Sequence, residues 1–545
     1  MSLERLIREP PPAASRVVTL AFLSGHLPAM LLGEQVARSL CTETGASVVL
    51  VRLTRPLNGD TTTFLRHGNF LPENNFHLPD LLQRTDGGYH FLSVGPEGEL
   101  YRPESIPSLV EQLRRRFNYV LIETVAEDVF TPSLFEFLLH SDAGYFFVRA
   151  AGEDVYHLDL LLRELRPRVR NCEIQLRPAL CLKENEVVDG YDALIQRVAG
   201  PLQVFIRGCP EPENPAIRPN GSFNADIRRL AREIGGCLVG LALSSGAAKG
   251  LSHIGVIQVL EENGIEVDVV AGSSMGAYIG AVWAFGHDGQ QLEKIAREME
   301  SPWAFWSLID PAFPPRQGFV RGVAVKKRLM RSIGDIHFAE LRRPLRVMAT
   351  NLETLERVTF SSGEVATAVH ASSAVPGICV PVVIDGETYI DGGIVDPLPV
   401  DVLREMGVSR VIAVNAIPTS DRISYCLQAE RELAQLPRKR AREVIRKWIP
   451  LGQHLNYFAR GNILEILMRS IHGAQIRMAE SLGRQADIVL RPQVCDDRWL
   501  DFRDPGRFIQ PGRQIAERYL AEIKALVARK TVQNETTFEP LAATA

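Results

Sequence analysis

The chain has 545 residues, 46% of them hydrophobic and 23% charged. That is ordinary globular usage with material for a sizeable core, and it excludes a disordered or fibrous protein. The 61 Lys and Arg against 65 Asp and Glu leave a net charge of −4, so no global field draws the chain to nucleic acid and any basic surface is local. Eight scattered cysteines contain no Cys-x-x-Cys pair, which indicates neither a zinc site nor a disulfide framework and fits a reducing compartment.

In chain order, Met1 to Ser15 carries acids and a run of three prolines, unlike the cationic and apolar segments of a secretory signal. Val17 to Phe22 is predicted as a strand, Leu32 to Thr44 as a helix and Ser47 to Leu53 as a second strand. Further strands are expected at Tyr119 to Ile122 and Gly144 to Val148, with helical patterning between them and at Leu158 to Leu165. Strand–helix–strand alternation favours a parallel sheet covered on both faces. Residues 209–224 hold four prolines among polar residues and form the best linker in the chain. The expected organisation is therefore a tail at 1–16, an α/β domain at 17–208, a linker at 209–224, a second domain at 225–530 with its core at 238–418, and a tail at 531–545. The apolar stretch Val267 to Phe285 carries Asp268 at its start and is broken by Gly272, Ser273, Ser274 and Gly276, so it is a poor membrane span. A cytoplasmic protein is expected, with membrane contact confined to its surface.

In layout, the first block resembles the partitioning-type P-loop ATPases. A phosphate loop needs glycines that aim backbone N–H groups at phosphates, together with a Lys and a hydroxyl for the metal. The equivalent stretch here, Leu23 to Met30, has no Lys, and Pro28 removes a donor. Glu123, at the end of its strand, is placed to mimic a metal-binding acid. The block is expected to be a degenerate, nucleotide-free relic with a structural or partner-binding role.

Three segments of the second block carry chemistry. An apolar strand runs from Leu241 into the small-residue loop Ser244-Ser245-Gly246-Ala247-Ala248-Lys249-Gly250, ahead of a helical pattern. Such a loop lets backbone amides converge beside a helix N-terminus, which is how an oxyanion hole is built. Gly272-Ser273-Ser274-Met275-Gly276 fits Gly-x-Ser-x-Gly between a strand and an apolar helix, the context of a nucleophile elbow with Ser274 at its centre. Ser273 falls outside that register. Asp391-Gly392-Gly393 ends a strand in an acid followed by a tight turn, a pattern that also suits a purely structural turn.

Together these segments resemble the patatin-like phospholipases, most closely the neuropathy-target-esterase branch. Lys249 to Val256, Ala371 to Gly377, Asp391 to Pro399 and the run from Ala486 take part in the likeness, which covers about 300 residues. The resemblance implies a three-layer α/β/α domain that hydrolyses lipid acyl esters with a Ser–Asp dyad, without a catalytic histidine, cofactor or metal. Carried over, Ser274 is the nucleophile, Asp391 its base, and the amides of Ser245, Gly246 and Ala247 are the oxyanion donors. Gly272, Gly276, Gly392 and Gly393 shape the two turns. Lys249 matches a basic position that steers a phosphate or stands solvated. The family's glycine cluster at 244–247 is reduced here to Gly246, which puts the loop's backbone shape at issue. An acyltransferase would use the same residues, and a catalytically weak scaffold module is the reading from another class.

A conventional triad would need a histidine after the acid, and only His454 and His472 follow Asp391. Neither lies in a strand-end turn. His253 and His370 are expected to be structural. Arg438 to Ile449 combines apolar residues at helical spacing with a basic surface and Trp448. That pattern suits an anionic membrane surface or a helix packed on its own domain. The Trp303-to-Trp306 cluster suits a core better than a lipid-entry rim.

Overall fold

The computed structural model describes residues 15–53, 82–94, 106–125, 132–169, 174–184, 186, 188, 190–200, 202–213, 221–301, 307, 309–418, 463–493 and 502–528. The chain divides into two compact units, one ending at Cys237 and the other spanning Leu238–Ala528. The stretches Arg438 to Ile449 and Trp303 to Trp306, His454 and the 531–545 tail lie outside the described residues.

The first unit is built on strands β1 (Arg16–Phe22), β2 (Val48–Leu53), β3 (Gln83–Arg84), β4 (His90–Val94), β5 (Tyr119–Val125), β6 (Ala143–Arg149), β7 (Gln175–Leu182) and β8 (Val204–Arg207). Their order is β3-β4-β2-β5-β1-β6-β7-β8, parallel except for β3 against β4. Alternate residues of β1 enter two cores: Val18, Leu20 and Phe22 on one face, Val17 on the other. Helix α1 (Ala29–Thr44) buries Leu32, Val36 and Leu40 against the first of these. Helix α2 (Ser222–Ile234) places Phe223, Ile227, Leu230 and Ile234 in the same core. This corrects the expected boundary at 225, because α2 belongs to the first unit and the division falls after Cys237.

Beside the equivalent of the phosphate loop, β2 and β5 are joined by an ion pair, whose Arg52 also donates to the Met30 carbonyl at 3.1 Å. Arg52 donates from Nε to Glu123 Oε1 at 2.8 Å and from a terminal nitrogen to Oε2 at 3.1 Å. Both side chains are buried. Burial lifts the Glu123 carboxyl above its usual range against the pull of Arg52. A Cβ on Gly33, in α1, would strike the Glu123 carboxylate, so the acid is packed under α1 and paired with Arg52.

The second unit has strands β9 (Val239–Leu243), β10 (Val269–Ser273), β11 (Leu345–Asn351), β12 (Arg357–Phe360), β13 (Val382–Ile384), β14 (Glu387–Asp391), β15 (Arg410–Val414) and β16 (Ile488–Leu490). The order is β13-β14-β11-β10-β9-β15-β16, with β12 also on β11. β11, β10, β9, β15 and β16 run parallel. β9 and β15 are buried throughout, as expected for strands covered on both faces. Leu241, Leu243, Val270, Ile412 and Val414 face one core with helices α3 (Ser252–Glu262) and α4 (Met275–Phe285). Ala242, Val269, Ala271, Val411 and Ala413 face another with Ile476 and Ala479 of α6 (Ile463–Gly483), a helix that follows α5 (Val365–Ser372). The unit is thus a three-layer α/β/α sandwich.

Candidate active site

Register, more than any loop, brings the candidate residues together. Ser273 of β10 pairs with Met348 of β11, and Ala349 pairs with Asp391 of β14. One residue past β10, Ser274 is therefore level with Ala349 and with Asp391 beyond it. On the other side, Gly272 pairs with Leu243, which sets the 245–247 loop at the same height. The ends of β9, β10 and β14 converge on one place.

Ser274 sits between β10 and α4 with φ 53° and ψ −116°. A non-glycine residue held there costs about 1–3 kcal/mol, a strain that characterises a nucleophile elbow. The two flanking glycines make the turn possible. A Cβ on Gly272 would strike the Gly276 carbonyl, and one on Gly276 would strike the carbonyls of Leu243 and Ser244. The Ser274 amide donates to Ser372 Oγ at 2.9 Å. Its hydroxyl, partly exposed, donates to Asp391 Oδ2 at 2.7 Å.

Asp391 is held from several sides. Its Oδ1 accepts from Gly393 N at 2.7 Å, its amide donates to Ala374 O, and Thr350 Oγ1 donates to its carbonyl at 3.0 Å. A Cβ on Gly392 would strike the Met348 carbonyl, and one on Gly393 would meet the Ser245 hydroxyl and the Asp391 carboxylate. Burial pushes the Asp391 carboxyl up to about 6, against the hydrogen bonds from Ser274 and Gly393. A carboxylate so placed is poised to take a proton near neutral pH.

The small-residue loop differs from expectation at one donor. Ser245 N donates to Pro397 O at 2.9 Å, so this amide is already engaged within the protein. The amides of Gly246 and Ala247 have no hydrogen-bond partner among the described residues. Ala247 has φ 46°, the strained backbone that the shortage of glycines put at issue. The neighbouring hydroxyls are also used: Ser244 Oγ accepts from Ala416 N at 2.9 Å, and Ser245 Oγ donates to Ser273 Oγ at 3.2 Å. Ser273 is fully buried, which sets it apart from Ser274.

No histidine is bonded to Ser274 or Asp391 among the described residues. His253 is buried, and its Nε2 donates to Ser244 O at 2.9 Å; burial holds its pKa down at about 4. His370 Nε2 donates to Arg321 O at 3.2 Å. His472, on α6, is kept neutral to about 4 by burial and then by the charge of Lys249, which places Lys249 beside α6. Gln475, three residues further along that helix, donates to Gly393 O at 3.0 Å. Among the described residues no group of three or more His, Cys, Asp or Glu could hold a metal ion, and no helix is long and apolar enough to cross a membrane.

Ser372, Thr350 and Gln475 had no role in the sequence reading. Ser372 lies within the family-like run Ala371 to Gly377, so the signal was present without its meaning.

A buried acid bonded to a serine in a strand–elbow–helix turn, within a three-layer α/β/α unit, defines a class. Residues 241–404 match the family model described as patatin-like phospholipase, so that part of the second unit is similar to this family. The chain is 27% identical over 320 residues to lysophospholipase NTE1 of Kluyveromyces lactis, covering 58% of this chain and 21% of that protein. It is 32% identical over 321 residues to lysophospholipase nte1 of Emericella nidulans, covering 57% and 20%. It thus spans about a fifth of the length of these curated relatives. Among solved structures, the ParA family ATPase from Chlorobium tepidum is 14% identical and covers 40% of this chain and 98% of its own, with a TM-score of 0.31. VipD from Legionella pneumophila is 16% identical and covers 52% and 67%, with a TM-score of 0.28. Both scores are too low to carry an argument.

Proposed function

We propose that the second unit is a serine hydrolase that cleaves the acyl ester of a phospholipid or lysophospholipid, with Ser274 as nucleophile and Asp391 as general base. The observation that carries this reading is the 2.7 Å hydrogen bond from the strained Ser274 hydroxyl to the buried Asp391 carboxylate. Ser274 Oγ attacks the ester carbonyl carbon while its proton passes to Asp391 Oδ2. The oxyanion is received by the amides of Gly246 and Ala247 at the mouth of the α4 elbow. Collapse breaks the ester bond, and the departing alcohol takes the proton from Asp391. Water then attacks the acyl-serine, Asp391 again accepts the proton, and the fatty acid leaves as the serine is restored.

Support for a lipid ester comes from the patatin-like match and from the name lysophospholipase borne by the relatives. Lys249, two residues past the free amides, is proposed to meet the head-group phosphate. A structural role without nucleotide is supported in the first unit by Arg52, which pairs with the buried Glu123 and donates to the Met30 carbonyl. Labelling by a fluorophosphonate probe tests the central claim. Wild type should be labelled and Ser274→Ala should not; equal labelling of both would overturn the assignment.

A further inference from the structure

The apolar side chain most open to solvent in the described chain is Phe313, at 95% exposure; no other large hydrophobic exceeds 66%. It stands on a hairpin. Pro311 bridges Val320 in antiparallel fashion, Ala312 N donates to Phe319 O, and Arg321 N donates to Asp310 O. Ile309, Phe319 and Val323, at the base of the same hairpin, are also exposed. An isolated exposed hydrophobe is ordinary, but an apolar tip on a held hairpin is a feature of surfaces that meet something.

The hairpin is fastened beside the candidate site. Val320 bridges Cys379, Phe319 N donates to Ile378 O, and Val380 N donates to Val320 O. Carried two residues on, the register of Val382 with Tyr389 sets Val380 level with Asp391. The Cys379 thiol, raised to about 11 chiefly by burial, also feels the charges of Asp391 and Asp310. The segment 378–380, just ahead of β13, therefore lies between the hairpin and the acid of the dyad.

Its charge is one-sided. From Ile309 to Gly334 the sequence has six Lys or Arg residues, and Asp310 is the one acid. Asp310 is spent on the amides of Gly322 and Ala324. Lys326 pairs with Glu364, and Arg328 with Glu298. Arg316, Arg321, Lys327 and Arg331 are exposed and form no ion pair among the described residues. Arg316 shares the hairpin with Phe313, Arg321 Nε donates to Pro311 O at 3.2 Å, and Lys327 and Arg331 stand on the helix that follows. An aromatic tip with cations on the same segment complements an anionic bilayer, where the ring enters the acyl boundary and the cations meet phosphate.

We propose that the 309–322 hairpin is the surface by which the second unit seats on an anionic phospholipid bilayer, with Phe313 as the inserted anchor and Arg316, Arg321 and Lys327 as its head-group contacts. The choice of lipid as partner rests on the proposed function, since it sets the site against the source of its substrate.

Co-sedimentation of the full chain with phosphatidylcholine vesicles, with and without a fifth part phosphatidylserine, tests this without catalysis. Wild type should bind the anionic vesicles and release them as salt rises. Phe313→Asp should lose at least about tenfold in apparent affinity, and Arg316→Gln with Lys327→Gln about fivefold per charge. Circular dichroism should be unchanged, since these side chains are exposed. Hydrolysis of a monomeric short-chain ester should be the same in Phe313→Asp as in wild type, while hydrolysis of vesicle lipid falls. Wild type that stays in the supernatant, or Phe313→Asp that sediments like wild type, overturns the anchor. Loss of the short-chain esterase in wild type itself would instead strike the dyad and leave the vesicle result standing.

Discussion

The amide of Ser245 and the carbonyl of Pro397 are joined by a 2.9 Å hydrogen bond, which ties the loop after β9 to the turn after β14. Pro397 lies six residues past Asp391 in the same segment. The loop is thereby positioned by the chain that carries the acid, and of its three small-residue amides those of Gly246 and Ala247 are the two without a partner among the described residues. Ala247 is the strained partner, at φ 46°. Ala247→Gly should therefore hold or raise the melting temperature, where Ala to Gly at an ordinary helical site costs about 0.5–1 kcal/mol. A drop of that ordinary size would show that the loop does not need a left-handed residue.

Ser274→Ala and Asp391→Asn should each abolish ester hydrolysis and leave the melting temperature within a few degrees. The serine hydroxyl faces an opening, and the Asn keeps the shape of the acid. Turnover retained in either variant would remove that residue from the chemistry, and dependence on His472 would restore a triad.

Activity should follow the ionisation of Asp391. Because burial raises its pKa to about 6, the carboxyl is protonated below that value and cannot take the Ser274 proton. The rate on a monomeric ester should rise about tenfold per pH unit below 6 and level off above it. A flat profile from pH 4.5 to 8 in folded protein would contradict a carboxylate base.

Asp396, buried five residues on, is pushed up to about 7 by burial and by Asp401, against the pull of Arg357. The folded state therefore holds a proton between the unfolded value and about 7 that the unfolded chain has released. The resulting stability is full below the unfolded pKa and is lost as pH rises through about 7. Melting temperatures between pH 5 and 8 should decline in wild type and decline less in Asp396→Asn. Parallel curves would mean that Asp396 ionises as freely in the fold as outside it.

In the first unit, Arg52→Met should cost roughly 3–5 kcal/mol by leaving Glu123 buried without its partner. Adding Glu123→Gln should recover part of the loss. Calorimetry of wild type with millimolar ATP should show no saturable binding; micromolar affinity would make this unit a nucleotide site after all.

What the sequence made legible was whatever is local. Gly272 to Gly276 and Asp391 to Gly393 are short turns in which Gly272, Gly276 and Gly392 are demanded by neighbouring backbone and Gly393 by neighbouring side chains, so their spacing carries their geometry. The engagement of Ser245 was hidden because its partner is Pro397, far along the chain and bound through a carbonyl that any residue would supply. Ser372 and Gln475 were hidden for the same reason, being placed by packing of α5 and α6. The boundary before α2 was misplaced because a proline-rich linker announces a break without saying on which side the next helix packs. The apolar face of α2, with Ile227 and Leu230, is satisfied by α1.

Ser274 and Asp391 are 117 residues apart in sequence, yet only β11 lies between the strands that carry them. The segments from Gly286 to Pro344 and from Asn351 to Glu387 carry the chain away from that strand and back to it. The second of these carries Ser372 and Ala374, which hold the amides of Ser274 and Asp391. The first supplies neither bond and is the one whose length and content can change without moving the two side chains, provided β10, β11 and β14 keep their pairing. The molecule is in this sense modular at its rim: exchanging the Gly286 to Pro344 segment alone should change what reaches the pair while leaving the geometry of the pair in place.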